Sequence, residues 1–139
     1  MIHPLDHTGD IGFELETASL EELLEIAGQA LVEIMFSNPP QTSSLAHKVF
    51  LEAPTLEVLL VSWLNELLFL IQTQGLVPVH STVEVRALAR GWQLRAAVEL
   101  ADLELEAQGW QGEVKATTHH GLEVVGQEGH WQARVILDV

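Results

Sequence analysis

The sequence predicts an α+β fold in which a mixed, mostly antiparallel sheet carries two helices on one face, giving a two-layer single domain over residues 1–139. Two segments of the N-terminal half repeat apolar residues every three or four positions, which is the period of a helix buried on one side. From residue 77 onward the apolar residues alternate with polar ones, and glycines separate the alternating segments. At 139 residues the chain is long enough for one hydrophobic core.

The first predicted strand leads directly into the first predicted helix. The strand has alternating apolar residues at Ile11, Phe13 and Leu15. Ser19 and Glu22 form a capping box, which is typical of a helix N-terminus. One face of this helix is apolar, formed by Leu20, Leu23, Leu24, Ala27, Leu31, Ile34 and Met35. The helix should end before Asn38-Pro39-Pro40, because proline has no backbone N–H to donate.

The second helix is the most strongly indicated element of the chain. A polar loop over residues 41–46 and a short strand over 47–51 precede it. Its apolar stripe repeats every three or four residues, at Leu56, Leu59, Leu60, Trp63, Leu64, Leu67, Leu68 and Ile71. Val58, Val61, Phe69 and Leu70 widen this stripe well beyond half of the circumference, so the helix should be largely buried. Asn65 and Glu66 interrupt the apolar run, and we expect them to face loops or solvent, with a partner or sheet-edge contact as the alternative. Gly75 is a stop signal.

The C-terminal half should form a series of antiparallel strands joined by hairpins. Their apolar positions are Val83 and Val85; Trp92, Leu94, Ala96 and Val98; Leu103 and Leu105; Val114 and Ala116; Leu122 and Val124; and Trp131, Ala133, Val135 and Leu137.

Composition restricts the possible functions. Twenty acidic and six basic side chains give a formal charge of −14, so strong direct binding to nucleic acid is not expected, whereas a cation or a basic protein partner suits the charge. The absence of cysteine excludes disulfides, thiolate zinc sites and cysteine nucleophiles. We expect a cytoplasmic protein, because no signal-peptide pattern opens the chain and no apolar run reaches the length of a membrane span.

The opening segment over residues 6–12 has the chemistry of a cation site. Asp6 and Asp10 can supply the oxygen ligands that Mg²⁺ and Ca²⁺ prefer, and His7 lies beside them. Gly9 and Gly12 would let the backbone turn tightly around an ion or a phosphate. An ordinary Asx turn that leads into a strand is the alternative interpretation.

The end of the chain offers further carboxylates. An apolar strand runs into Asp138 and Val139, whose terminal carboxylate follows at once. If this strand lies beside the first one, Asp10, Asp138 and Val139 would form an anionic cluster that a divalent cation would stabilise.

Lys115 is one of only two lysines in the chain. On a strand it would share a face with Glu113, Thr117 and His119, where its ammonium could hold a phosphate or balance the aspartates. The alternative is an exposed lysine paired with a neighbouring glutamate, which contributes little stability. His119 and His120 would point to opposite faces of a strand, so they make a poor chelating pair, although one of them could lie in a turn with Gly121.

Five segments, in order, resemble the archease family, and the resemblance covers essentially the whole chain. They are Asp6-His7-Thr8-Gly9-Asp10-Ile11-Gly12, Trp63-Leu64-Asn65-Glu66-Leu67-Leu68, Glu113-Val114-Lys115-Ala116, His120-Gly121-Leu122-Glu123-Val124, and the ending from Trp131 to Val139.

The resemblance implies a small accessory protein that is not itself an enzyme. Its partner would be the tRNA-splicing RNA ligase, which joins a 3′-phosphate or 2′,3′-cyclic phosphate end to a 5′-hydroxyl end. The accessory protein would promote the GTP-dependent guanylylation of the ligase and its multiple turnover. The family's metal ligands fall on Asp10, Asp138 and Val139, for Ca²⁺ or Mg²⁺, and its functional lysine falls on Lys115. Asp6 and His7 belong to the same tip.

The chain departs from the family pattern at several positions. Gly9, Thr117 and His119 stand where the family more often has alanine, valine and tyrosine, and Gln72 and Gln74 replace acidic residues. Two other functions remain open. One is a chaperone-like modulator of another RNA-processing enzyme, such as a tRNA methyltransferase, and the other is a metal-dependent phosphohydrolase, for which no general base or nucleophile is evident.

Overall fold

The computed structural model describes residues 2–7 and 10–139, with side chains from residue 11 onward apart from residue 120. The elements, in order, are β1 (Ile2–His7), β2 (Asp10–Thr17), α1 (Leu20–Met35), β3 (Leu45–Ala53), α2 (Leu56–Gln72), β4 (Leu76–Leu88), β5 (Gly91–Asp102), β6 (Ala116–Gln127) and β7 (His130–Asp138). The prediction of an α+β fold with two helices and mostly antiparallel strands is confirmed.

The strands divide into two sheets, where the sequence pattern suggested one. The four-stranded sheet has the order β1-β2-β7-β6 and the three-stranded sheet has the order β3-β5-β4. Every pairing between these described strands is antiparallel. Alternation shows which side of a strand is buried but does not specify its neighbour, which explains the difference.

α1 begins at its predicted cap, and both helices end a few residues before the stop signals seen in the sequence, Asn38-Pro39-Pro40 for α1 and Gly75 for α2. The Ser19 hydroxyl accepts a hydrogen bond from the Glu22 N–H at the start of α1, and Thr55 caps α2 in the same way. α1 ends when the backbone becomes extended at Phe36. Beyond α2, Gly75 takes a positive φ of 65°, a conformation that glycine adopts without strain.

The core lies where the two helices meet the sheets. α1 packs on β2 and β4, and α2 packs on α1, β3, β4 and β6. Trp63 is fully buried, and its indole N–H donates to the Leu24 carbonyl over 2.8 Å, which joins the two helices. None of the helices in the described part of the chain is long and apolar enough to cross a membrane.

Glutamates of α1 bind the outer edge of the three-stranded sheet. A Glu25 carboxylate oxygen accepts a hydrogen bond from the Val83 N–H over 2.8 Å, and Glu21 accepts one from the Val85 N–H over 3.4 Å. Because β4 is an edge strand, these backbone donors would otherwise have no strand partner.

The opening segment, the third strand and the segment around Leu103 differ from the prediction, and β3 extends over Leu45–Ala53 instead of residues 47–51. Residues 2–7 form strand β1 and Asp10 begins strand β2, whereas the sequence predicted a turn over residues 6–12; the tight turn predicted at Gly9 lies outside the described residues. Leu103 and Leu105 belong to a loop between β5 and β6 instead of a strand. The buried Gln108 side chain holds this loop, donating to the Asp102 carbonyl and accepting from the Glu104 N–H.

Candidate functional site

The end of β7 lies between the beginnings of β2 and β6. Asp138 is paired in register with Asp10 on one side and with Ala116 on the other. The Lys115 N–H donates to the Asp138 carbonyl over 2.7 Å. The backbone therefore brings together Asp10, Asp138 and Lys115, three residues that are far apart in sequence.

Strand β1 adds two more predicted site residues beside Asp10. His7 is the register partner of Asp10, and Asp6 is the partner of Ile11. His7, Asp10, Asp138 and Ala116 thus lie opposite one another across the four strands of the sheet. We call these four residues, together with Lys115 and Val139, the acidic row.

The side chains that the structure describes here are accessible. Asp138 and Lys115 are exposed, and Val139 is 38% exposed. The side chains of Asp6, His7 and Asp10 lie outside the described set. Among the side chains that are described, no group of three histidines, aspartates or glutamates is close enough to hold a metal ion. The assignment of Asp10, Asp138 and Val139 as metal ligands therefore stays a prediction.

Gly12 has a different role from the one predicted. It is buried within β2 and is not at a bend. A Cβ at this position would lie 2.5 Å from the Val135 carbonyl oxygen and 2.9 Å from Ile136 Cδ1. Glycine is required because β7 approaches β2 too closely for a side chain to fit. Gly12 therefore allows the two strands to pack closely next to the acidic row.

Two polar residues of α2 hold the segment that carries Lys115. The Asn65 side-chain oxygen accepts a hydrogen bond from the Thr117 N–H over 2.9 Å. The Gln72 amide donates to the Val114 carbonyl. Together with the bond from Lys115 to Asp138, these contacts fix the backbone on both sides of Lys115.

The expectation that Asn65 faces loops or solvent is therefore wrong, and the sheet-edge alternative is correct. β6 is the outer strand of its sheet, so the Thr117 N–H lacks a strand partner and Asn65 provides one. A polar residue in an otherwise apolar helical run was the available signal, but the sequence does not show which backbone group it meets. Gln72, which also contacts this segment, gave no comparable signal.

Thr117 is also placed differently from the prediction. Glu113, Lys115 and His119 are exposed, but Thr117, which was predicted to share their face, is only 4% exposed. Strand β6 begins at Ala116, so the alternation assumed through residues 113–119 does not hold. The Thr117 hydroxyl is buried without a hydrogen-bond partner among the described residues.

Replacing Thr117 by valine should stabilise the protein. The two side chains have similar shapes, and the change removes a buried hydroxyl whose desolvation is not compensated, for an expected gain of about 1 kcal/mol in the free energy of unfolding. Urea unfolding of both proteins measures this difference. Thr118→Val is the control, because the Thr118 hydroxyl donates to the Ile136 carbonyl, and this change should not stabilise. A loss of stability in Thr117→Val would show that the hydroxyl is satisfied.

A bulge in β6 lies beside the acidic row. The register with β7 shifts between Thr118 and Glu123, so β6 contains extra residues here while it continues as a strand. Gly121 has a φ of 67° and approaches Ile136, to which a Cβ would come within 3.2 Å. Residues 119–121 remain within strand β6, so the alternative that one of the histidines lies in a turn with Gly121 is not confirmed.

Comparison with known proteins gives a consistent result. The model of the Archease protein family matches residues 3–139. The protein archease of Methanosarcina barkeri is 31% identical over 136 residues, covering 97% of this chain and 93% of the relative. The protein archease of Pyrococcus abyssi is 30% identical over 135 residues, covering 96% and 95%.

The fold agrees with a solved relative. The solution structure of Methanobacterium thermoautotrophicum protein 1598 has a TM-score of 0.81 and 30% identity, and the match covers 99% of this chain and 98% of that one. The match of the family model over nearly the whole length, with relatives at 30–31% identity, shows that the chain belongs to the archease family.

Proposed function

We propose that this chain is a non-catalytic activator of the tRNA-splicing RNA ligase. It promotes the GTP-dependent guanylylation of the ligase and its repeated turnover, and it acts through the acidic row. Asp10, Asp138 and Val139 are the proposed ligands of a divalent cation, Ca²⁺ or Mg²⁺, and Lys115, Asp6 and His7 face the partner. The observation that carries the proposal is the register that brings Asp10, Asp138 and Lys115 together.

The residues present fit a hard cation. Like charges placed directly opposite on antiparallel strands destabilise a sheet, and a bound cation removes that cost. The Asp138 carboxylate is exposed at the end of its strand, where a ligand can reach it, and Val139 adds a main-chain oxygen beside it. Carboxylate and main-chain oxygens are the donors that Ca²⁺ and Mg²⁺ prefer. When bound, the cation would supply positive charge against phosphate oxygens at the ligase active site.

Lys115 would supply a second positive charge. Its side chain is exposed, while its backbone is fixed by the bonds to Asp138 and to the flanking residues Val114 and Thr117. A fixed backbone limits the entropy lost when the ammonium binds a phosphate. We infer that Lys115 orients a phosphate of GTP in the ligase.

The net charge supports a protein partner more than an RNA. A charge of −14 repels polyanions, whereas it attracts an RNA-binding enzyme that has a basic surface. The chain therefore assists the ligase without holding the RNA strongly itself.

Replacing Lys115 by alanine should remove most of the stimulation. The assay is RNA ligation by the cognate ligase with GTP and excess RNA over ligase, with and without this protein. We expect a rate about 10-fold or more below that with the wild-type activator, since a hydrogen bond to a charged group contributes about 1.5–3 kcal/mol. Lys48→Ala is the matched control, because Lys48 is the other lysine of the chain and is exposed on β3.

Full stimulation by Lys115→Ala would contradict the role of this residue. No stimulation by the wild-type protein would contradict the proposed function itself. Recovery of a tRNA methyltransferase instead of the ligase, in a pull-down from cell extract, would favour the chaperone-like alternative. Release of phosphate from nucleotides by the isolated protein would favour a phosphohydrolase.

A further inference from the structure

Two large apolar side chains are exposed on the loop between β5 and β6. Leu105 is 51% exposed and Trp110 is 49% exposed. They flank a groove of about 310 Å³. Its floor is formed by buried residues from the ends of both helices, Met35, Phe36 and Ile71. We call this feature the Trp110 groove.

The loop that presents Trp110 is held firmly against the end of α1. The Ser37 N–H donates to the Gly109 carbonyl over 2.9 Å, and the Asn38 N–H donates to the Gln108 carbonyl over 2.9 Å. In the other direction, the Gln111 N–H donates to the Met35 carbonyl over 2.8 Å. These bonds keep Trp110 exposed in a preformed position, so little ordering entropy would be lost when another molecule covers it.

The segment that presents Leu105 and Trp110 is acidic. No lysine or arginine occurs between Arg95 and Lys115, whereas that stretch contains Glu99, Asp102, Glu104, Glu106 and Glu113. Glu113 lines the groove, and Glu104 and Glu106 are exposed on the same loop as Leu105. A matching surface must therefore combine an apolar side chain with positive charge.

The groove is continuous with the acidic row. Gln72 lines the groove and also donates to the Val114 carbonyl. Glu113, at the edge of the groove, precedes Lys115 by two residues, which is at most about 7 Å along the chain. A protein that contacts Lys115 can therefore reach the groove as well.

We infer that the Trp110 groove binds a segment of the partner ligase that carries an aliphatic or aromatic side chain flanked by lysine or arginine. This inference rests on the proposed function. Exposed tryptophans at the centre of an interface often contribute much of its affinity. The groove then supplies affinity, and the acidic row supplies activation.

The test uses the full chain and its cognate ligase. Trp110→Ala should raise the Kd for the ligase, measured by calorimetry, by about 10-fold or more, and the activator concentration for half-maximal ligation should rise in parallel. Stimulation at saturating activator should stay close to wild type. Leu105→Ala should act in the same direction, and Glu106→Gln should reduce the salt dependence of the Kd. Phe50→Ala is the matched control, since Phe50 is 55% exposed on β3, outside the groove, and should leave the Kd unchanged.

The outcomes separate this inference from the proposed function. A wild-type Kd for both Trp110→Ala and Leu105→Ala, with normal stimulation, overturns the inference alone. Absence of binding and of stimulation by the wild-type protein overturns both. If the wild-type protein is a dimer and Trp110→Ala is a monomer, the groove binds a second copy of this chain. That result also overturns the inference. If circular dichroism shows that Trp110→Ala is unfolded, the Kd of Leu105→Ala tests the inference instead. A raised Kd supports the inference, and a wild-type Kd overturns it.

Discussion

Replacing Asp138 by asparagine is expected to abolish the stimulation of multiple-turnover ligation. The change removes the carboxylate charge of the central proposed ligand but keeps its size. Changes to groups that merely support metal ligands weaken metal affinity about 10–100-fold, so the loss of a ligand charge should reach at least that range. Because the side chain is exposed, the free energy of unfolding without metal should change by less than about 1 kcal/mol. The bond from Lys115 to the Asp138 carbonyl is retained, because it involves only the backbone.

Two measurements test this prediction separately. Calorimetric titration with Ca²⁺ or Mg²⁺ reports the proposed cation site, and the ligation assay reports activation. Glu128→Gln is the control, because it removes an exposed carboxylate from the turn at the opposite end of the β6–β7 hairpin. Unchanged cation binding in Asp138→Asn would show that Asp138 is not a ligand, and unchanged stimulation would show that activation does not need it.

Gly12→Ala should destabilise the protein by about 3 kcal/mol, at the upper end of the range for overpacked sites. The added Cβ would overlap the Val135 carbonyl oxygen, which belongs to the backbone of β7 and cannot rotate away. To accommodate the methyl group, β7 must move away from β2, and this movement displaces Asp138 from Asp10. We therefore expect a loss of stability by urea unfolding and a loss of stimulation even at temperatures where the variant is folded.

Gly28→Ala provides the matched control. Gly28 is also buried and has no unusual φ, but its added Cβ would meet Leu67 Cδ1, the far end of a flexible side chain. Alanine also favours the helix over glycine by up to about 1 kcal/mol. The loss of stability should be clearly smaller than for Gly12→Ala, with stimulation retained. Equal losses would show that any added volume in this core has the same cost.

Local patterns in the sequence were sufficient to predict both helices. The Ser19 cap and the apolar repeat give the bounds of α1, and the repeat from Leu56 onward gives α2 to within a residue or two. Local patterns gave a wrong prediction where a tertiary contact determines the structure. Leu103 and Leu105 alternate with glutamates as in a strand, yet the bonds of Gln108 fold that segment into a loop.

The sequence indicated which residues meet in the acidic row, but not the contacts that position them. An apolar strand that ends in Asp138, and the motif around Asp10, indicated residues that the structure places in register. The close packing of β7 against β2 at Gly12 is a tertiary contact that no local pattern reveals. Asn65 was similarly ambiguous, because its role depends on β6 being an outer strand of the sheet.

The glutamates of α1 that bind β4 have a consequence for self-association. A strand with free backbone donors is a template on which a second molecule can add its own strand, and repeated addition leads to fibrils. Glu21 and Glu25 occupy two of these donors, at Val85 and Val83, with groups that also carry negative charge. An approaching strand at this border would have to displace carboxylates from their hydrogen bonds while facing electrostatic repulsion, so the acidic composition helps to keep the molecules apart.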